Sequence, residues 1–458
     1  MIKRLFIVWL FCASLMPVVA EEVALDTAID IALSSNISIK IQENQEKKST
    51  LDQKINDSFL FPEFSIYGQY NYSDPRMGVK REVIPLVAPL EFNIGRNDMF
   101  SYGVQLRYLL YEGGRRSHLS QAADYLKEAS RWSLVDRKRA VASEVSRSYV
   151  SVLLLKELVH LADENLGRHT RRRLDAQIAL QAGTIAGLEL LRIRAEEEDA
   201  KIARDEAVDQ LKIGETQLSL LLNSSSNLSP KGSLQSAAKQ AIGFELSTLN
   251  QKDPEFAQLM AASLQERAAE ESYQAKKSEE LPTVVTGLKA GQTNPYLGQK
   301  QFGTEYNAFV QLTIPIFDFG RSSGMTEKAK IDSNNVRLQV EEANRSIKSK
   351  YQLLIQRLTS AQRSIQSRQV SVDRSLLALS SAQVAYKNGT IDLSRLLDAE
   401  LLLLKSRIEF LRGTVMFYEN LAEWERLSGH SSDQFQIFSE SVIQKNVQQD
   451  FAKEGETK

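Results

Sequence analysis

The stretch "YEGGRRS", Tyr111 to Ser117, returns as "FDFGRSS", Phe317 to Ser323. Gly114 and Arg115 line up with Gly320 and Arg321, 206 residues further on. The same offset relates "AGTIAGLELL" (Ala182 to Leu191) to "NGTIDLSRLL" (Asn388 to Leu397). From Gly114 to Gly183 is 69 residues, and so is the distance from Gly320 to Gly389. A chain that repeats two signals at one spacing reads as two copies of one unit.

The segment before each glycine turn alternates. Phe100, Tyr102, Val104, Leu106, Tyr108 and Leu110 are apolar, with Ser101, Gly103, Gln105 and Arg107 between them. That period of two predicts a strand with two unlike faces. Tyr306, Ala308, Val310, Leu312, Ile314 and Ile316 repeat the pattern around Asn307, Gln311 and Thr313. Upstream partners are Phe61 to Tyr72 and Pro282 to Gln292, which makes two hairpins with polar loops at Ser73 to Asp98 and Thr293 to Thr304.

The tracts after the turns are free of proline. All ten prolines fall at position 17, between 62 and 89, or at 230, 254, 282, 295 and 315. Proline costs about 3 kcal/mol inside a helix, so the proline-free tracts 90–229 and 316–458 are where long helices can run. Val141, Val145, Tyr149 and Val152 give one apolar stripe there. At 1.5 Å per residue such runs reach about 100 Å. Shorter opening helices are predicted from Leu25 to about Asn56 and from about Glu255 to Ser278. Gly413 is placed in mid-helix, where a larger side chain is easily accommodated.

A helical hairpin turning at Gly183-Thr184 sets Arg171-Arg172-Arg173 against Glu196-Glu197-Glu198, centred on 184.5. The two runs either pair across the turn, each exposed pair contributing about 0.2 to 1 kcal/mol, or are solvated independently. Four strands cannot close a barrel, and unpaired strand edges are excluded from lipid. The alternatives are therefore one barrel shared by several copies or a secreted β-sandwich with helical arms. An aromatic-rich face opposite a Ser, Gly, Gln, Asn and Arg face fits lipid outside and water inside better.

Residues 1–20 read as a secretory signal, with Lys3 and Arg4, the apolar run Leu5 to Leu15 and a Val18-Val19-Ala20 cleavage site. Cys12, the only cysteine, lies inside it, so no thiol chemistry is expected in the mature chain. Lys plus Arg (57) nearly cancels Asp plus Glu (58), which gives no electrostatic case for nucleic acid. His118, His160, His169 and His430 lack metal-ligand spacing, and "DFG" at Asp318 sits at a strand end without the other kinase signatures. No enzyme, cofactor or metal site is expected.

Together these residues resemble the TolC family of outer-membrane efflux and secretion ducts. The resemblance runs from "LDTAIDIALSSN" (Leu25 to Asn36), through "LLYEGGRR" and "PIFDFGR", to "LAEWERLSG" (Leu421 to Gly429). It implies a mainly α chain with transmembrane β-structure, assembled as a homotrimer with a shared twelve-stranded barrel on a long periplasmic helical tunnel of coiled-coil character. It implies a signal peptide 1–20, repeats over 21–229 and 230–429, and a periplasmic tail 430–458. The implied partners are outer-membrane lipid, a periplasmic adaptor and an inner-membrane transporter of an efflux pump or a type I secretion system. The adaptor would dock on tips at Gly183, Thr184, Leu190 and Leu191, and at Gly389, Thr390, Leu396 and Leu397. A closed mouth would use Glu189 and Tyr386, with Asp398 lining the constriction. Arg395 stands where the family can carry a second carboxylate, and it either pairs with Glu189 or is solvated. Gly114 and Gly320 would form the strand-to-helix turns. The rival reading is a periplasmic coiled-coil adaptor without its own pore, but adaptors show one helical hairpin and this chain shows two.

Overall fold

The structure, a computed structural model, describes residues 21–72, 78–81, 90–93, 98–224, 228–250, 253–294 and 301–439. The predicted signal segment, parts of both polar hairpin loops and the tail beyond 439 lie outside the described residues. The described residues fall into two compact units, one drawn from those within 21–41, 135–256 and 347–439, the other from those within 42–134 and 257–346.

In chain order come β1 (Glu21–Val23), α1 (Leu25–Ser35), α2 (Ile37–Ser58), β2 (Glu63–Tyr72), β3 (Gly78–Arg81), β4 (Leu90–Asn93) and β5 (Asp98–Tyr111). Two long helices follow, α3 (Arg115–Gln181) and α4 (Gly187–Leu221). After β6 (Leu228–Pro230), α5 (Leu234–Gly243) and α6 (Ala257–Lys277) come β7 (Thr283–Asn294), β8 (Gly303–Thr313), α7 (Arg321–Lys387) and α8 (Leu393–Ser428). Both α3 and α7 contain 67 residues.

The opening helix expected over Leu25 to Asn56 is two helices. Asn36 breaks it: its backbone is extended, and its side-chain oxygen accepts from the Ser38 N–H at 2.9 Å and the Ser38 hydroxyl at 2.5 Å. An asparagine that satisfies free N–H groups in this way starts a new helix.

In the second unit β2, β5, β7 and β8 form one antiparallel sheet in that order. Its registers pair Ile66 with Val104, Leu106 with Leu288 and Leu288 with Ala308, so the apolar even positions share one face. The other face carries Gln105, which donates to the Ser65 hydroxyl at 3.1 Å. Two aromatics depart from the expected polarity of that face. A Cβ at Gly287 would stand 2.4 Å from the Phe309 ring, and one at Gly291 would stand 2.5 Å from the Tyr67 hydroxyl. Glycines thus leave room for rings to lie across neighbouring strands, and Lys289 Nζ sits 4.1 Å from the Tyr67 ring centre. Within the loop expected at Ser73 to Asp98, β3 and β4 add a short antiparallel ladder. Strand β8 ends at Thr313, three residues before the expected Ile316, because Pro315 lacks a ladder donor.

The first unit is held by contacts the periodicity does not announce. Strands β1 and β6 pair in parallel. The Tyr149 hydroxyl donates to the Lys231 carbonyl at 2.6 Å and accepts the Lys231 N–H at 3.0 Å. Tyr149, Phe417, Tyr418 and Phe438 are fully buried. Phe438 meets both tyrosines edge-on at 5.9 and 5.4 Å. Each large apolar side chain so buried stabilises by about 1.5–3 kcal/mol. Gly413 is less permissive than expected: it is buried in α8, and the Arg368 Cδ lies 3.2 Å from where a Cβ would stand.

Candidate functional site

The two helical tips close by the same hydrogen bonds. Gly183 has φ +75° and Gly389 has φ +72°, a left-handed conformation that glycine adopts at little cost. The next residue, Thr184 or Thr390, donates its N–H five residues back, to Ala179 or Ala385, both at 2.9 Å. The Gly183 and Gly389 N–H groups donate to Leu180 and Tyr386 at 3.0 Å. These are the crossed bonds of a helix C-terminus that ends on glycine. Each threonine hydroxyl also donates to the same alanine carbonyl. A two-residue signal, Gly-Thr, therefore ends α3 and α7 alike.

Past the turns the tips pack on each other. Leu190 and Ile193 of α4 and Leu393, Leu396 and Leu403 of α8 are buried with Ala176 of α3 and Leu379 of α7; Leu397 packs on their edge. Leu191 is exposed, as are Gly183, Thr184, Gly389 and Thr390. Asp392 caps α8 by accepting the Arg395 N–H at 3.0 Å. Among the described residues, the side chains of Glu189, Tyr386, Arg395 and Asp398 make no hydrogen bond or ion pair within the single chain. Tyr386, Arg395 and Asp398 are exposed and Glu189 is half-buried.

The strong polar link between the two hairpins is one that sequence reading missed. Arg172 Nη2 lies 2.6 Å from Glu400 Oε1, and the two side chains are 14% and 7% exposed. Arg173 makes the expected cross-turn pair, with Glu197 at 2.6 Å. Glu196 instead pairs with Arg192, and Glu198 with Lys201. The Arg172–Glu400 pair stands eleven residues from each tip glycine, about 16 Å along a helix.

His169 lies one turn before Arg172, and its Nδ1 is buried without a hydrogen-bond partner. Burial holds its pKa below the ordinary 6.5; the Arg172 charge works the same way, against Glu400 and Glu196. A base whose folded pKa is depressed must take up a proton less readily when folded. Stability is therefore present above pH 6.5 and lost as pH falls below it. Thermal unfolding of the parent and of His169→Gln should diverge between pH 7.5 and 5.5, with the parent losing more. Parallel losses in the two proteins would remove His169 as the cause.

The strand-to-helix elbows are matched but not identical. Gly114 and Gly320 sit at φ +84° and +83°, where a side chain is strained whatever the space. In the first elbow Glu112 is buried and accepts the Arg116 N–H at 3.1 Å. Arg116 Nε lies 2.6 Å from the Glu112 carboxylate, Nη1 donates to the Phe59 carbonyl at 2.7 Å, and Nη2 donates to the Leu109 carbonyl. In the second, Asp318 accepts the Ser322 N–H at 2.9 Å and its hydroxyl as well. An acid four residues before a free N–H is thus shared, and it favours the helix start electrostatically. The cross-brace through Arg116 was not read from the sequence, though an arginine two residues after Gly-Gly was visible.

Two of the histidines are engaged in structure: His118 with Glu271 at 2.7 Å and His430 with the Asp253 carbonyl at 2.9 Å. Among the described residues no group of three or more His, Cys, Asp or Glu could hold a metal ion. No described helix is long and apolar enough to cross a membrane.

A family model described as outer membrane efflux protein matches residues 28–224 and 251–430. The cobalt-zinc-cadmium resistance protein CzcC of Cupriavidus metallidurans is 24% identical over 326 residues, which cover 69% of this chain and 74% of CzcC. The probable outer membrane lipoprotein SilC of Salmonella typhimurium is 22% identical over 384 residues, covering 81% and 77%. Among solved structures, that of CusC superposes with a TM-score of 0.75 at 19% identity and covers 91% of this chain and 96% of its own. That likeness concerns the fold.

Proposed function

The chain belongs to the outer membrane efflux protein family, and from that premise we propose that it is the outer-membrane exit duct of a tripartite efflux assembly. One observation carries this reading. A four-stranded sheet with an apolar face and two open edges, β2 and β8, is joined through elbows to helices of equal length. Open edges cannot face lipid, so several chains would share one barrel, the even-numbered side chains outward; the family resemblance supplies the number three, and with it twelve strands. Residues 21–229 and 230–429 then act as two repeats, each contributing one hairpin and one helical arm, behind a cleaved signal at 1–20.

The arms would form a periplasmic tunnel whose tips, at Gly183 to Leu191 and Gly389 to Leu397, receive the adaptor of an inner-membrane transporter. Glu189, Tyr386 and Arg395, lacking partners within one chain, would meet neighbouring chains there, with Asp398 lining the mouth. Conduction is passive, so no catalytic residue is needed. The name of CzcC places divalent metal ions first among the cargoes to test, ahead of drugs and of proteins secreted by a type I system.

Purified mature protein in detergent should run as a trimer of about 150 kDa and insert channels into planar bilayers. A stable monomer, or a trimer without conductance, would overturn the duct.

A further inference from the structure

The second elbow places a phenylalanine where the first has glycine. Gly113 and Phe319 are equivalent under the 206-residue offset, and both have left-handed backbone, φ +66° and +58°. At Gly113 the conformation has a packing reason, since a Cβ there would stand 2.6 Å from Leu281. At Phe319 no packing accounts for it. A bulky residue at positive φ is strained, yet the ring is 90% exposed and touches Phe317, itself 76% exposed, at a centroid distance of 4.7 Å. The left-handed turn therefore turns an aromatic out of the fold rather than into it.

The surroundings say what covers it. Val310, Leu312, Ile314 and Ile316 are all exposed and continue the apolar even positions of β8 off its end to the aromatic pair. Beyond the pair comes Arg321, whose side chain is largely exposed and whose nearest acid, Asp318, is 3.9 Å away. An apolar column, then aromatic rings, then a cation is the order of a bilayer from acyl chains through the interface to phosphates. Strain kept at an exposed aromatic indicates a contact made outside the chain.

We propose that Ile316, Phe317 and Phe319 form a lipid-seated anchor at the helical end of the barrel, with Arg321 reaching the phosphates of that leaflet. The anchor rests on the outer-membrane reading above. It belongs to the second elbow only, since the first fills the equivalent place with half-buried Gly113, packed against Leu281.

Nitroxide labels test this in proteoliposomes, using the mature chain, which has no cysteine after residue 20, as background and single cysteines replacing Phe319, Tyr306 or Phe309. Tyr306 reports the apolar face in mid-strand and Phe309 the opposite face. Collision with oxygen should exceed collision with a water-soluble nickel chelate several-fold at 319 and at 306, and the order should reverse at 309. A label at 319 reached by the nickel chelate would overturn the anchor, and so would one shielded from both reagents, which would mean that a second copy covers the knuckle. If 306 is also reached from water, the membrane placement of the sheet fails, a result distinguishable from failure of the anchor alone.

Discussion

Gly103→Val should abolish the trimer proposed above in outer-membrane fractions, while Gly68→Val should leave its yield close to that of the parent. Both glycines lie in the same sheet, on adjacent strands. A Cβ at Gly103 would stand 2.2 Å from the Ala290 carbonyl oxygen and 2.5 Å from the Gly291 Cα, whereas one at Gly68 meets nothing within 4 Å. The obstacle at Gly103 is backbone of β7, which moves only if β5 and β7 separate, and these two strands join the two hairpins. Intrinsic preference points the other way: valine exceeds glycine as a strand former, on a scale of about 1 kcal/mol. Steric overlap should win, at more than about 4 kcal/mol. Equal yields from the two variants would show that the β5–β7 junction is not needed for assembly.

The contrast shows which parts of this protein can be read from one sequence. Strand faces, elbow glycines and tip glycines were legible because each is a local rule: period two, positive φ, a helix ending on glycine. The equality of α3 and α7 was legible because spacing is preserved between Gly114 and Gly183 and between Gly320 and Gly389. What escaped depends on partners distant in the chain. The β1–β6 pair joins Val23 to Pro230, and its staple, Tyr149, meets Phe438. Segments of three residues carry no periodicity to detect. Phe309 and Tyr67 lie on the polar face because glycines across the strand admit their rings, a fact absent from either strand alone.

Only one pair of the charge runs at the first tip forms across the turn, for a geometric reason that leads to the second large effect. Successive residues of a helix point about 100° apart, so Arg171, Arg172 and Arg173 cannot all face α4. Arg173 does, and Arg172 turns instead to Glu400 of α8.

Arg172→Met should loosen the tips strongly. It leaves the Glu400 carboxylate buried without its cation, and breaking a buried pair from one side costs about 3–5 kcal/mol. The cost falls locally, where the two hairpins meet, so the variant should assemble normally. It should be cut faster by trypsin near the tips, conduct more in planar bilayers and admit large antibiotics to cells. Glu400→Leu should act in the same direction by stranding Arg172. The double variant decides the mechanism. Ala176 lies one turn beyond Arg172 and Leu403 one turn beyond Glu400, and both belong to the apolar seam of the tips. Met and Leu at 172 and 400 would extend that seam, and replacing a buried pair by apolar side chains of similar size is often neutral or stabilising. Arg172→Met with Glu400→Leu should thus restore protease resistance and low conductance. If the double variant is as loose as either single one, the charges themselves are required. If the single variants match the parent, the link between the hairpins is carried by the leucines alone.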